Sequence, residues 1–570
     1  MGAQSEGRSP PFFARLLKEM QYTRCRKRLT TQAISLRNIA LAFLSPDDAI
    51  VKKTLAGFTL LILVYSLLWL LRQTEAQPSA RLRAELRDPS TGRALPGRFY
   101  LTDEQGNFKS PPGAVTYQKG AEQHFLADGS FELQLAPGRY SLAAERGPEF
   151  LPVSLALRLS SGEERKETLS MKRWIDMNRL GWYSGDLHNH RNVAEIRQLL
   201  LAEDLNLAPT LADWVWEDRE RSTPPQAAQP VQPVDEIHVF SVLDKEVERL
   251  ENGPGAVDLL GLKSPIPFQG YRLFPPNDTF CDAAHSQGGY VDAEKILWRD
   301  AAALVALGHI DFAGIVHNHF NRHGVELETD RWGMIPKYRA EFGTIAGMPL
   351  WSMEVYHRWL NCGFRLPVSA GSASGVKASP LGYNRVYVKV DGRFDYTRWF
   401  RSLKEGRSFA TNGPMLFLTV NGKEPGAAVR LEEGRAPKVK VHAEALSPRL
   451  LDRLEVLFRG RVIKAVTGSQ SEGKLVADFE SGFDETGWIA ARCFEPAGRT
   501  IRFAHTSPVY IQVGSRVTKA REDARFFIEW IDREIGFYEK EQGFREPRHR
   551  EAMLALFRKA RAVYARLAQD

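Results

Sequence analysis

The hydrophobic pattern of this chain changes period twice, and that change restricts most strongly what it can fold into. From about residue 79 to 172, short alternating segments are separated by turns. Arg81-Leu-Arg-Ala-Glu-Leu alternates, Asp88-Pro-Ser-Thr-Gly interrupts it, and Phe131-Glu-Leu-Gln-Leu alternates again before Pro137-Gly138. Strands at that spacing predict a β-sandwich over 77–175, a fold used more often as a spacer or binding module than as a catalyst. From about 178 to 412, apolar runs alternate with helical stretches. Phe312–Val316, Leu350–Val355 and Leu366–Ala370 read as strands, Ala293–Leu307 and Tyr396–Glu405 as helices. That alternation predicts an α/β domain over 176–414, with the Pro/Gln-rich Ser222–Pro233 as a loop insertion. Short strands return over 415–515, where Asn421-Gly422 is a hairpin signal, and predict a second sandwich. Over 516–570, Phe527, Ile528, Ile531, Ile535 and Tyr538 form one helical stripe. Met553, Leu556, Phe557, Ala560, Tyr564 and Leu567 form another, so a helical hairpin packed on the body is expected. A chain of 570 residues exceeds one hydrophobic core, and the class that follows is multidomain α/β and β.

Charge is unevenly placed. Residues 1–53 carry ten Lys/Arg against four Asp/Glu, which leaves only about +2 of the total +8 for everything after residue 76. A body so close to neutral offers no field for a phosphate backbone, and no nucleic-acid partner is expected. The basic segment adjoins one apolar run, Thr54–Leu71, long enough to cross a bilayer core. Residues 54–76 read either as a transmembrane anchor with its basic side inside, or as a cleavable signal peptide starting at an overlooked Val51. In the second case residues 1–50 would not exist in the protein. Both readings place the body in the periplasm or outside the cell, secreted or held by a single N-terminal span. After residue 76 the cysteines are Cys281, Cys362 and Cys493, with no CxxC pair, which argues against a structural zinc-thiolate site. A Cys281–Cys362 disulfide is compatible with that compartment.

The strongest chemical signal is Trp182-Tyr-Ser-Gly-Asp-Leu-His-Asn-His. Residues two apart in an extended segment point the same way, so His188 and His190 can present two imidazoles to one ion, with Asp186 on the same side. A second pair, His317 and His319, follows the run Phe312–Val316. Glu354 falls within Leu350–Val355, Glu246 is flanked by apolar residues, and His285 precedes the turn Gln287-Gly288-Gly289. Sites in α/β domains gather at the carboxyl ends of strands, and N and O donors there suit Zn, Mn or Fe. Asp186, His188, His190, Glu246, His285, His317, His319 and Glu354 are therefore the candidate ligands for one or two divalent ions.

The opening motif resembles the first motif of the PHP (polymerase and histidinol phosphatase) domain, and more closely the CehA/McbA metallohydrolase branch related to carbaryl esterase. The segment Leu403-Lys-Glu-Gly-Arg-Ser-Phe-Ala-Thr-Asn-Gly-Pro resembles the close of that domain, and the likeness spans roughly 130–420. The resemblance implies an exported protein whose middle is a distorted (β/α)7 barrel with up to three metal ions. It implies hydrolysis of an ester, phosphoester or carbamate by a metal-activated water. His188 and His190 match the first motif, Glu246 the next glutamate, and Glu354 a glutamate at a strand end. Two departures stand out. Tyr290–Trp298 lacks the histidine that the family has after its Gly-Gly turn, and Gly371-Ser-Ala-Ser-Gly375 replaces Gly-Ser-Asp-x-His, with Ala373 for the aspartate and Gly375 for the histidine. On this reading His317 and His319 compensate, and Lys295 fills a vacated metal position with its charge.

His188, His190, Glu354 and Lys295 are the catalytic candidates. Arg365, Tyr383 and Arg385 are the expected contacts to an anionic or saccharide-like ester or phosphoester substrate. The reading set against hydrolysis is a catalytically reduced barrel that binds an extracellular ligand or polymer.

Overall fold

The computed structural model describes residues 78–569, apart from 222–228, 328–338, 435–437, 469–472, 517 and 519, together with Leu61 and Tyr65. The expectations for 1–53 and for the apolar run 54–71 thus lie, but for those two residues, outside the described chain. Among the described residues no helix is long and apolar enough to cross a membrane.

Three hydrophobic cores correspond to the three pattern regimes. The first belongs to two facing sheets, Ala80–Arg87 between Ser130–Leu135 and Glu164–Ser170, and a five-stranded antiparallel sheet running from Thr116–Lys119 to Val153–Leu159. Inward residues such as Leu82, Ala84, Phe99, Phe125 and Leu142 fill it. The second core is C-terminal. There the sheet of Met415–Val420, Lys438–Leu446 and Lys474–Gly482 shares its apolar residues with strands between Ala428 and Val513.

The third and largest core lies in the middle region, among strands and the helices α1 (Val193–Glu203), α2 (Asp278–Ser286), α3 (Ala301–Ala306), α4 (Met348–Asn361) and α5 (Tyr396–Lys404). Its strands fall into a five-stranded sheet ending Lys245–Arg249, Gly255–Leu260, Tyr290–Asp292, a parallel pair Ala313–Val316 with Val368–Ala370, and one end of a twelve-stranded sheet. None of these closes on itself among the described residues. The tail folds as α6 (Arg521–Lys540) and α7 (Pro547–Leu567), with Pro547 opening the second helix, where its missing N–H costs nothing. Phe527, Ile531, Phe557 and Tyr564 join the middle core, so the hairpin is packed on the body as its stripes predict.

Several local expectations change. Leu350–Val355 is not a strand: Trp351, Val355, Tyr356, Trp359 and Leu360 recur at helical spacing and are buried on α4. The helix foreseen over Ala293–Leu307 is reduced to α3, because residues 294–300 form turns, with Glu294 in the left-handed region at φ 55°. Val231–Pro233, expected as loop, pairs antiparallel with Val239–Ser241. Cys281, Cys362 and Cys493 are buried free thiols, so the Cys281–Cys362 bridge is not formed. The domain boundary at 414/415 is also less sharp than the pattern suggests. Ser408–Thr411 pairs with Phe503–Thr506, so a single sheet runs from the middle region into the C-terminal one.

That junction contains a buried imidazole pair. His357 on α4 meets His505 on the strand Phe503–Thr506, Nε2 to Nε2 at 2.9 Å, and His505 Nδ1 is held by the Thr506 carbonyl at 2.7 Å. Burial pulls the His505 ring down to about 3, with Arg492 pushing the same way. A depressed imidazole makes the unfolded chain the better proton acceptor between pH 6.5 and about 3. Stability is therefore intact above 6.5 and falls as the solution is acidified through that window. The expected loss is about 1.4 kcal/mol per pH unit from this group. His357, His317 and His319 are depressed by burial in the same direction, so urea midpoints measured from pH 7 to pH 4 should fall at least that steeply, and His505→Leu should make the slope shallower.

Candidate metal centre

The strand Trp182–Gly185 delivers the segment 186–190 in extended form into the middle core. Backbone bonds fix it on both sides: Leu187 N–H donates to Ala370 O (3.0 Å), Ala373 N–H to His188 O (2.7 Å) and His190 N–H to Ser374 O (2.8 Å). Gly371 must be glycine for this approach, since a Cβ there would stand 2.3 Å from the Cβ of His188. Asp186 does not face the imidazoles. Its carboxylate accepts the amides of His188 (3.2 Å), Ser372 (2.9 Å) and Gly382 (2.7 Å), so it braces the segment rather than offering a ligand.

His188 and His190 do point together, with their Nε2 atoms 2.9 Å apart. Glu246 closes the group: Oε1 is 3.5 Å from His188 Nε2 and Oε2 is 3.0 Å from His190 Nε2. One donor atom from each of the three lies within 4.8 Å of the others, a group that could hold a metal ion. Behind it, His188 Nδ1 faces Glu294 Oε1 at 3.2 Å and Asp258 Oδ2 at 3.5 Å. The ring of Trp214 covers His190 at 4.8 Å between centroids.

The sheet explains how the acids come together. In register across neighbouring strands, Glu246 stands opposite Asp258 and Asp258 opposite Asp292. Directly opposed like charges destabilise a sheet, and here all three are buried. Burial lifts the carboxyl of Asp292 to about 7 and that of Asp258 well above the carboxylate range, where the charges of Glu246 and Glu294 add to it while His188 opposes. For Glu246 burial also pushes upward, but His188 and His190 outweigh it and hold the group at about 2. His188 answers in kind. Burial would lower it, and Asp258 and Glu246 together keep it well above an ordinary imidazole. Lys295 is buried among them, donating to Glu294 Oε1 and, at 3.2 Å, to Asn318 Oδ1. Asp258 Oδ1 is nonetheless buried without a hydrogen bond, and Glu246 Oε2 meets only the ring of His190, as an ion pair at 3.0 Å outside hydrogen-bond geometry.

The other candidates are distributed differently. His317 and His319 lie past the strand Ala313–Val316, but neither joins the three-residue group. His317 Nε2 is 3.3 Å from Ser352 Oγ, and His319 Nδ1 is buried without a partner. The residue between them, Asn318, is the one that reaches the centre, donating to Glu294 Oε1 at 2.9 Å. His285 belongs to a separate, more exposed group with Asp282 and His309, and its Nε2 is taken by Asp311 Oδ2 at 2.8 Å. Arg385 is buried, with Nε donating to Gly382 O at 2.7 Å and Nη1 3.4 Å from Ser184 Oγ. Arg365 sits on the surface over the ring of Tyr510 at 4.4 Å. Tyr383 lines a cleft formed by residues of all three regions.

Glu354 is the clearest correction. It sits on α4, where Arg358 holds Oε1 at 2.8 Å and Arg339 holds Oε2 at 3.2 Å, and it opens onto a different cleft. Glu354→Gln is expected to leave the metal content of the protein unchanged. It should cost at most about 1 kcal/mol, as half-exposed ion pairs do; metal analysis and a melting curve check both. Asp258, Asp292 and Glu294 were not singled out from the sequence. For Asp258 and Asp292 the signal is an acid embedded in an apolar strand, Gly255-Ala-Val-Asp-Leu-Leu260 and Tyr290-Val-Asp292, while Glu294, in the turn that follows, carries no such signal.

No family model matches the chain, and no curated protein matches it. Among solved structures, the Bacillus anthracis TIE protein aligns at 17% identity over 20% of this chain and 20% of its own, with a TM-score of 0.14. A likeness of that size carries no argument about fold or function.

Proposed function

We propose that this chain is an exported metal-dependent hydrolase of ester, phosphoester or carbamate bonds. The observation that carries the proposal is the buried row Glu246–Asp258–Asp292 set against the paired imidazoles of His188 and His190. Opposed buried carboxylates, with Asp258 Oδ1 left without a hydrogen bond, have a physical reason to be retained where a cation neutralises them. The donor set fits a borderline ion such as Zn, Mn or Fe. His188 Nε2, His190 Nε2 and Glu246 would hold it. When bound, such an ion acidifies a water molecule and polarises the bond to be cleaved. Glu294 and Asp258, on Nδ1 of His188, keep the proton on that nitrogen and leave the lone pair on Nε2. Lys295 fixes Glu294 and balances its charge. Asp292, whose carboxyl burial lifts to about 7, would be the member of the row placed to hold a proton released at such an ion.

On this reading the middle region is a PHP-type barrel opened into separate sheets, belonging to the CehA/McbA-like branch, and Thr54–Leu71 brings it out of the cytoplasm. Ala373 and Gly375 favour the second reading, a reduced barrel that binds without turnover. The segment that should supply an aspartate and a histidine supplies backbone bonds to His188 and His190 instead.

Metal analysis of the purified full-length chain separates the two. Stoichiometric divalent ion, lost in His188→Ala, with chelator-sensitive turnover of aryl esters or aryl phosphoesters, is the expected result. A folded protein free of metal and inert on both substrates would leave the binding protein as the better reading.

A further inference from the structure

A cleft of about 220 Å³ opens where the three cores adjoin. The N-terminal sandwich contributes Arg98 and Glu145, the middle region Arg322 and Tyr383, and the C-terminal sandwich Arg449 and Arg502. Half of this charge is spoken for. Arg98 bonds Glu203, also on the wall, and Glu145 at 2.6 Å, while Arg322 grips both oxygens of Glu145 at 2.6 and 2.7 Å. Two arginines and two glutamates cancel. Arg449 stands exposed at the rim, and Arg502 approaches a carboxylate, that of Glu495, only at 3.7 Å, beyond hydrogen-bond reach. Beside Arg502, whose guanidinium carbon is 5.9 Å from the ring of Tyr383, the Tyr383 hydroxyl is buried and its proton meets no acceptor. Gly413 keeps the wall bare here, since a Cβ on it would stand 3.3 Å from Arg502 Nε.

We propose that this cleft is an oxyanion site that takes a phosphoryl group, as inorganic phosphate or as the phosphate of a small ester. Two guanidinium forks with unused N–H groups and one phenol proton are the donors that a tetrahedral oxyanion satisfies, and with Glu495 counted against Arg502 the cleft keeps a surplus of one positive charge, that of Arg449. The volume lies below the usual range for drug-sized ligands, roughly 300–1,000 Å³, so one small polar group fills it. The site is distinct from the metal centre. Gly382, next to Tyr383, donates to Asp186, which in turn accepts the amide of His188, so a braced layer of backbone separates the two. A bound anion would tie all three regions together without taking part in the chemistry at His188, and the assignment stands whether or not the protein is a hydrolase.

Calorimetric titration of the full-length protein with inorganic phosphate, in the presence of a chelator, tests this. One saturable site is expected. Arg502→Gln should weaken it at least about tenfold, and Arg449→Gln and Tyr383→Phe each by a factor of roughly three to ten. His188→Ala and Arg365→Gln should leave it unchanged. The proposal is overturned if phosphate does not saturate a site. It is equally overturned if the site is insensitive to Tyr383→Phe and Arg449→Gln, variants that spare the buried pairs, or if binding disappears with the chelator or in His188→Ala, which would assign the anion to the metal centre.

Discussion

Arg98→Leu is expected to destabilise the protein by about 3–5 kcal/mol, one of the two largest effects that the structure implies. Arg98 leaves the N-terminal sandwich on the strand Gly97–Asp103 and pairs with Glu203 at the end of α1, with side chains 5% and 1% exposed. Removing the guanidinium strands Glu203 in the interior with its charge uncompensated, while Glu145 retains Arg322. The asymmetry is the test. Arg98→Leu combined with Glu203→Leu removes both charges and should recover most of the loss, because an intact buried pair contributes far less than a broken one costs. Urea unfolding of the single and double variants measures the difference. Equal destabilisation in both would mean that packing, and not the unpaired carboxylate, dominates.

The second large effect concerns the cation. Metal-free protein titrated with Zn or Mn to about 1,000 times the dissociation constant should gain about 4 kcal/mol, seen as a rise in melting temperature. Glu246→Ala should abolish the rise. The acidic row gives this prediction its direction. Without a cation, Glu246, Asp258 and Asp292 sit opposed and buried, and the fold must keep some of them protonated. Any cation that replaces those protons binds the folded chain and not the unfolded one. A melting temperature indifferent to chelator and to added ion would remove the metal centre from consideration.

The β-rich flanking regions, the helical hairpin and the facing of His188 with His190 were legible in the sequence, because each rests on a local period or on alternation within one extended segment, whereas Glu246 joins the two imidazoles from a separate strand. Glu354 was not. Leu350-Trp-Ser-Met-Glu-Val alternates over six residues like a strand, and only the longer view to Leu360 reveals the 3.6-residue recurrence of Trp351, Val355, Tyr356 and Trp359. Asp258 and Asp292 escaped for another reason. An acid within an apolar strand has no spacing of its own, and its role appears only when two further strands place Glu246 and Asp292 beside it. The Gly371–Gly375 segment illustrates the limit of motif reading: what remains of it is a set of backbone bonds and a close approach to His188, which no side-chain pattern encodes.

The pairing of Ser408–Thr411 with Phe503–Thr506 makes the C-terminal region a structural neighbour that the middle region cannot shed. A chain ended at residue 414 would bare four consecutive buried residues along an open strand, their amides facing solvent or the next molecule. Such a fragment should precipitate or dimerise through that margin, which makes the last quarter of the polypeptide a built-in chaperone for the part that carries the chemistry.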